Sequence, residues 1–112
     1  MKHRIAENGK AVVVSLEGDV DLQSSPDARG VLLEAVERSA RVVVDLSAVS
    51  YIDSSGIAAL VEALQRSRQR KDGAALALAA VSDPVLRVLM LARLDRVFTI
   101  HPTLADAVPA SQ

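Results

Sequence analysis

Residues 41–60 read RVVVDLSAVSYIDSSGIAAL. Two apolar runs meet in this stretch, and between them stand Asp53, Ser54, Ser55 and Gly56. Val42, Val43 and Val44 follow one another without alternation, the pattern of a central strand covered on both faces. Beyond the break, Ile57, Leu60, Val61 and Leu64 recur at helical spacing and make one apolar stripe. The stretch therefore predicts a buried strand that hands over to a packed helix, the unit from which parallel sheets are built. Arg66, Arg68, Arg70 and Lys71 close that helix with positive charge, which complements its dipole, and Asp72-Gly73 stops it.

Toward the N-terminus, residues 3–18 (HRIAENGKAVVVSLEG) alternate around Asn8-Gly9, a pair suited to a type I′ turn, so two antiparallel strands are expected. Val12, Val14 and Leu16 share one face, with Val13, Ser15 and Glu17 on the other. Residues 24–40 (SSPDARGVLLEAVERSA) open a helix, with Ser25 as N-cap, Pro26 at the first helical position and Asp27 in the first turn. Its apolar stripe is Ala28, Val31, Leu32, Ala35 and Val36, while Arg29, Glu34, Glu37 and Arg38 stay wet.

Toward the C-terminus, residues 74–81 (AALALAAV) are short enough between Gly73 and Ser82 to be a strand. Residues 82–94 (SDPVLRVLMLARL) repeat the helix start signal, with Ser82 or Asp83 as cap and Pro84 in the first turn. That helix carries more apolar residues than one buried stripe can hold, so part of it is expected to face a partner or a second copy of the chain. RVFTI (96–100) reads as a final strand, His101 before Pro102 as a turn residue, and Thr103 as the cap of a last short helix with Asp106 three residues on. A hairpin followed by alternating helices and strands requires an α/β fold with a mixed, largely parallel sheet and right-handed crossovers.

Composition narrows the function classes. The 112 residues suit one domain, spanning 1–112, that buries roughly 65% of the surface its unfolded chain exposes. Thirteen basic residues stand against fourteen acidic ones, which gives no field to draw nucleic acid or an anionic membrane. Tyr51 and Phe98 are the only aromatic residues, too few to stack single-stranded bases. There is no cysteine, which excludes disulfides and thiol nucleophiles, and His3 and His101 lie far apart in sequence, which leaves no His-rich metal spacing. No window is long and apolar enough to span a bilayer, so a cytoplasmic protein without cofactor or metal is expected.

The strand-to-helix junction is where ligands and partners usually meet an open α/β sheet. Its plainer reading is local: Asp53 or Ser54 caps the helix, Ser55 fills the first turn and Gly56 gives the backbone room. A serine in that first turn also presents a hydroxyl beside free N–H groups and the positive dipole end, where an added phosphate is held locally. A hydrolase elbow is not formed, because Ile52 stands where glycine is needed two residues before Ser54, and no phosphate-binding GxxxxGK[ST] loop is present.

With these segments in place the chain resembles the STAS domain, and within it the bacterial anti-sigma factor antagonists. The apolar strand, the Asp45-Leu46-Ser47 step and the Asp53-Ser54-Ser55-Gly56 step carry the resemblance, together with Gly18-Asp19-Val20-Asp21 before the first helix and the ending over 82–108. Two positions depart from the usual pattern: Ile57-Ala58 stands where Leu-Gly is commoner, and Ser24 where Thr is frequent. The resemblance implies a STAS-type mixed sheet with helices packed mainly on one face. It implies a bacterial signal-transduction and transcription-regulation phosphoprotein that is not an enzyme and works by partner switching. Unphosphorylated, such a protein binds an anti-sigma factor that is also a serine kinase of the GHKL type; phosphorylation, here of Ser54, releases it, and a PP2C-type phosphatase restores it. Asp21, Asp53, Ser55, Gly56 and Ile57 would form the partner-binding surface, and a homodimer is compatible. Two other readings stay open: a non-phosphorylated STAS subunit of an ABC-type phospholipid transport complex, and a small-molecule or nucleotide binder at the same crevice.

Overall fold

The computed structural model describes residues 1–108; the last four residues of the expected 1–112 domain lie outside it. Nine elements follow in chain order: β1 (Lys2–Asn8), β2 (Ala11–Val20), α1 (Ser25–Arg38), β3 (Arg41–Ile52), α2 (Ser54–Arg68), β4 (Ala75–Ala79), α3 (Asp83–Leu91), β5 (Thr99–His101) and α4 (Leu104–Ala107). The strands form one sheet in the order β1-β2-β3-β4-β5. β1 runs antiparallel to β2, and every later neighbour is parallel. This is the mixed α/β sheet expected from the sequence.

Period-two alternation decides which core each strand residue joins. On one face Val14, Leu16, Val42, Val44, Leu46, Leu76 and Leu78 pack with Ala28, Leu32 and Val36 of α1, Leu60 and Leu64 of α2, and Val85 and Leu89 of α3. On the other, Val13, Val43 and Ala79 form a small second cluster covered by Leu104, Ala107 and Val108. Three helices therefore share one face, and the four-residue α4 lies on the other. β3 reads as a continuous apolar run because both of its faces are covered.

Four local expectations are corrected. Asn8 pairs with Ala11, so the hairpin loop is Gly9-Lys10. Only Gly9 has a positive φ, +63°, whereas type I′ needs it at both loop residues; glycine first in the loop fits type II′. The cap of α1 is Ser24, one residue earlier than expected, and its backbone is already helical. The reason lies upstream, where the Ser25 N–H donates to the Asp21 carbonyl at 2.7 Å, so the chain turns before α1 begins. The final strand is Thr99–His101 and not 96–100. Val97 and Phe98 are held in a turn by N–H donation to the Leu94 carbonyl, at 3.0 and 3.2 Å, and the Phe98 ring is buried. His101 belongs to that strand, opposite Ala79, because the extended backbone that a following proline imposes is also what a strand requires.

Candidate functional site

The site begins where two neighbouring strands end level. Val20 of β2 pairs with Ile52 of β3 after register shifts at Ser15/Glu17 and Gly18/Asp19, irregularities that bend and twist strand ends. Each strand is followed by an aspartate, Asp21 and Asp53. The two make parallel use of their carboxylates.

Asp53 is the N-cap of α2, with extended backbone (φ −110°, ψ −172°). Its Oδ1 accepts from the Ser55 N–H at 2.9 Å, the Gly56 N–H at 3.2 Å and the Ser55 hydroxyl at 2.5 Å. Its Oδ2 accepts from the Leu22 N–H at 3.1 Å, and its own N–H donates to the Val20 carbonyl at 3.2 Å. One side chain thus caps a helix and fastens the loop after the neighbouring strand. Asp21 caps the preceding turn: its Oδ1 accepts from the N–H groups of Gln23 and Ser24, both at 3.1 Å. The Ser24 hydroxyl donates to the Asp19 carbonyl at 3.0 Å and to Asp21 Oδ1 at 3.1 Å.

These contacts hold both carboxyls below the ordinary aspartate range. For Asp53 the Ser55 hydroxyl is the largest cause, aided by the N–H groups of Gly56, Ser55 and Leu22 and opposed by partial burial. For Asp21 the Ser24 N–H leads, and the nearby Asp53 charge pushes the other way. Two negative charges therefore stand together at the strand ends at neutral pH.

The adjacent serines differ. Ser54, the first residue of α2, is exposed, and among the described residues its hydroxyl meets no hydrogen-bond partner. Ser55 is half-buried, with its hydroxyl committed to Asp53. Gly56 and Ile57, expected on the partner-binding surface, are buried, and the neighbouring packing is close. A Cβ on Gly56 would stand 2.6 Å from Ile52 Cγ1, 2.7 Å from the Val20 carbonyl oxygen and 2.9 Å from Val20 Cγ1. Ile57 joins the main core.

Leu22 is a residue that the sequence reading passed over. It is 75% exposed although apolar, and it sits on the loop that Asp53 fastens. Its signal was an isolated leucine inside the polar turn DVDLQSSPD. Beside Ser55 a groove of about 240 Å³ opens between α1 and α2, lined by Ser25, Pro26, Arg29, Ala58, Ala59 and Glu62 as well as Ser55. Arg29 Nε and Nη2 donate to the two Glu62 carboxylate oxygens, each at 2.7 Å. Neither histidine lies in these turns, His3 being on β1 and His101 on β5. Among the described residues, no three His, Cys, Asp or Glu side chains gather as metal ligands, and no helix is long and apolar enough to cross a membrane.

The model of the STAS domain family matches residues 3–107. The anti-sigma-B factor antagonist of Bacillus subtilis (strain 168) is 27% identical over 96 residues, which is 86% of each chain. Among solved structures, an anti-sigma factor antagonist from Mycobacterium paratuberculosis superposes with a TM-score of 0.83 at 25% identity, over 95% of this chain and 89% of that one. The anti-sigma factor antagonist SpoIIAA in its unphosphorylated form shares the fold, with a TM-score of 0.77 at 18% identity over 95% and 92% of the two chains. So does a sulfate transporter family protein from Wolinella succinogenes, with a TM-score of 0.74 at 20% identity over 91% and 84%. With its sheet order, its paired aspartate caps and a family match across nearly its whole length, this chain belongs to the STAS domain family, in the company of anti-sigma factor antagonists.

Proposed function

We propose that the protein is an anti-sigma factor antagonist that works by partner switching, a binding module whose state is set at Ser54. The observation that carries this reading is the difference between the two serines: Ser54 is exposed and its hydroxyl meets no partner among the described residues, while the Ser55 hydroxyl is bound to Asp53. The names of the similar proteins support an anti-sigma factor as the partner. A GHKL-type serine kinase as that partner and a PP2C-type phosphatase as its opponent follow from the resemblance. In the forward step Ser54 Oγ attacks the γ-phosphorus of ATP held by the partner, its proton passes to a base there, and ADP leaves. At the phosphatase a water oxygen attacks the phosphoserine phosphorus, the bond from phosphorus to Ser54 Oγ breaks, Oγ regains a proton, and inorganic phosphate leaves.

The unmodified tip, with Leu22, Ser54 and the outer edges of Asp21 and Asp53, offers a small apolar contact inside a negative rim. Phosphate adds about −1.5 to −2 charge to that rim. Desolvating the enlarged charge against a docked partner then costs more than its contacts return.

The test is phosphosite mapping by mass spectrometry after incubation with ATP and a candidate GHKL-type kinase, followed by binding assays with the same partner. The expected outcome is one phosphate on Ser54, none on Ser54→Ala, and weak binding by Ser54→Asp. Equal binding of Ser54→Ala and Ser54→Asp to a partner, without phosphate transfer, overturns the switch and leaves a transport-complex subunit as the reading.

A further inference from the structure

The Arg29–Glu62 clasp, in the groove that Ser55 also lines, has a chemistry that the switch described above does not use. Among the described residues, Arg29 is the only cation lining the groove between α1 and α2, and Glu62 the only anion. The pair is bidentate yet solvent-exposed, with the Arg29 side chain 52% accessible, so separating it costs little. Ser55 and Ala58 line the same groove as Arg29. Ser54 precedes Ser55 in the chain and lies one helical turn before Ala58, so it sits on the turn of α2 at which the groove begins. The other charges at these turns are negative: Asp21 and Asp53 at the strand ends, and Asp27 in the first turn of α1.

Resting on Ser54 as the modified residue, we propose that Arg29 is the receiving cation for the phosphate, exchanging Glu62 for phosphoserine 54 when that group is added. The phosphate offers more charge and three acceptor oxygens in place of two, and a guanidinium fork matches it bidentately. The exchange moves the signal along the helix. The phosphate becomes partly neutralised at the tip, while Glu62, two turns further on, loses its bidentate partner and keeps only the charge of Arg66 near it. Phosphorylation is then displayed along the exposed side of α2 rather than at one residue. Arg29 is accordingly a positioning residue, acting on the phosphate after transfer.

The experiment places phosphoserine at position 54 biosynthetically, by genetic code expansion, so it runs whether or not a kinase has been found. The second ionisation of the phosphate is followed by ³¹P NMR titration in the parent, Arg29→Gln, Arg29→Lys and Glu62→Gln backgrounds. An unassisted phosphoserine has its second pKa near about 6. The parent is expected below that value, Arg29→Gln above the parent by about half a unit as Asp21 and Asp53 act unopposed, and Arg29→Lys between the two. Glu62→Gln, which frees the guanidinium beforehand, lowers the value further. Superimposable titrations of the parent and Arg29→Gln overturn the proposal. Circular dichroism of the unmodified variants checks that each is folded, and failure of every kinase to modify Ser54 bears on the proposed function alone.

Discussion

At the scale of single residues, the junction rests on one carboxylate that does two jobs. Asp53 caps α2 and ties down the loop carrying Leu22, and its folded pKa is depressed by the Ser55 hydroxyl first and then by the N–H groups of Gly56, Ser55 and Leu22. A depressed carboxyl stabilises the fold at pH values above its unfolded pKa of about 3.9, and that contribution is lost as pH falls through the lower folded value. Asp53→Asn is therefore expected to melt at a lower temperature than the parent at neutral pH, with the gap closing below about pH 4; thermal melts across that range decide it. Equal melting temperatures at every pH would show that the amide replaces the carboxylate fully. Asp53 was legible in the sequence as a cap, because Asp before an apolar helical stripe is a local signal. Its bond to Leu22 was not, since it joins residues 31 apart in sequence that only strand pairing brings together. The proposed choice of Ser54 over Ser55 was equally hidden from local rules and came from family resemblance; among the described residues the two differ in that the Ser55 hydroxyl is bound to Asp53 and the Ser54 hydroxyl is not.

At the scale of the elements, two glycines inside helices make a contrast. Gly30 in α1 has open space around the position of a Cβ, whereas Gly56 in α2 is pressed against Val20 and Ile52. Gly30→Ala is expected to stabilise the protein by about 0.5–1 kcal/mol through helix propensity and a less flexible unfolded chain. Gly56→Ala gains the same propensity but drives a methyl into a backbone carbonyl, and overpacking of about 1–3 kcal/mol outweighs it, for a net loss on the order of 1 kcal/mol. Urea denaturation of the two variants should move the midpoint in opposite directions. Composition marks both residues alike as helix weaknesses, and only packing separates them. α3 carries the same lesson at its surface. Its excess of apolar residues was visible in the sequence, and the fold leaves Met90 and Leu91 at 56% and 80% exposure while Val85 and Leu89 are buried.

At the scale of the whole molecule, the sheet divides stability unequally between its faces. Leu46 is fully buried in the main cluster beneath three helices, whereas Leu104 of α4 is half-buried over the small second cluster. Leu46→Ala is expected to cost about 2–5 kcal/mol and Leu104→Ala less than about 2 kcal/mol, measured by chemical denaturation. A comparable loss in both would mean that α4 carries as much of the fold as α1–α3. What the sequence by itself determined was the order of elements, the hairpin, the three parallel crossovers and the apolar faces of β2, α1 and α2, because hydrophobic period, caps and turn residues are properties of neighbours along the chain. The tertiary structure alone decided that Val20 and Ile52 end side by side, that Asp21 and Asp53 charge the same edge, that Gly56 and Ile57 sit under the tip while Leu22 stands out from it, and that Arg29 meets Glu62. Those facts depend on strand register and helix packing, which bring distant residues together at a precision that local pattern does not encode.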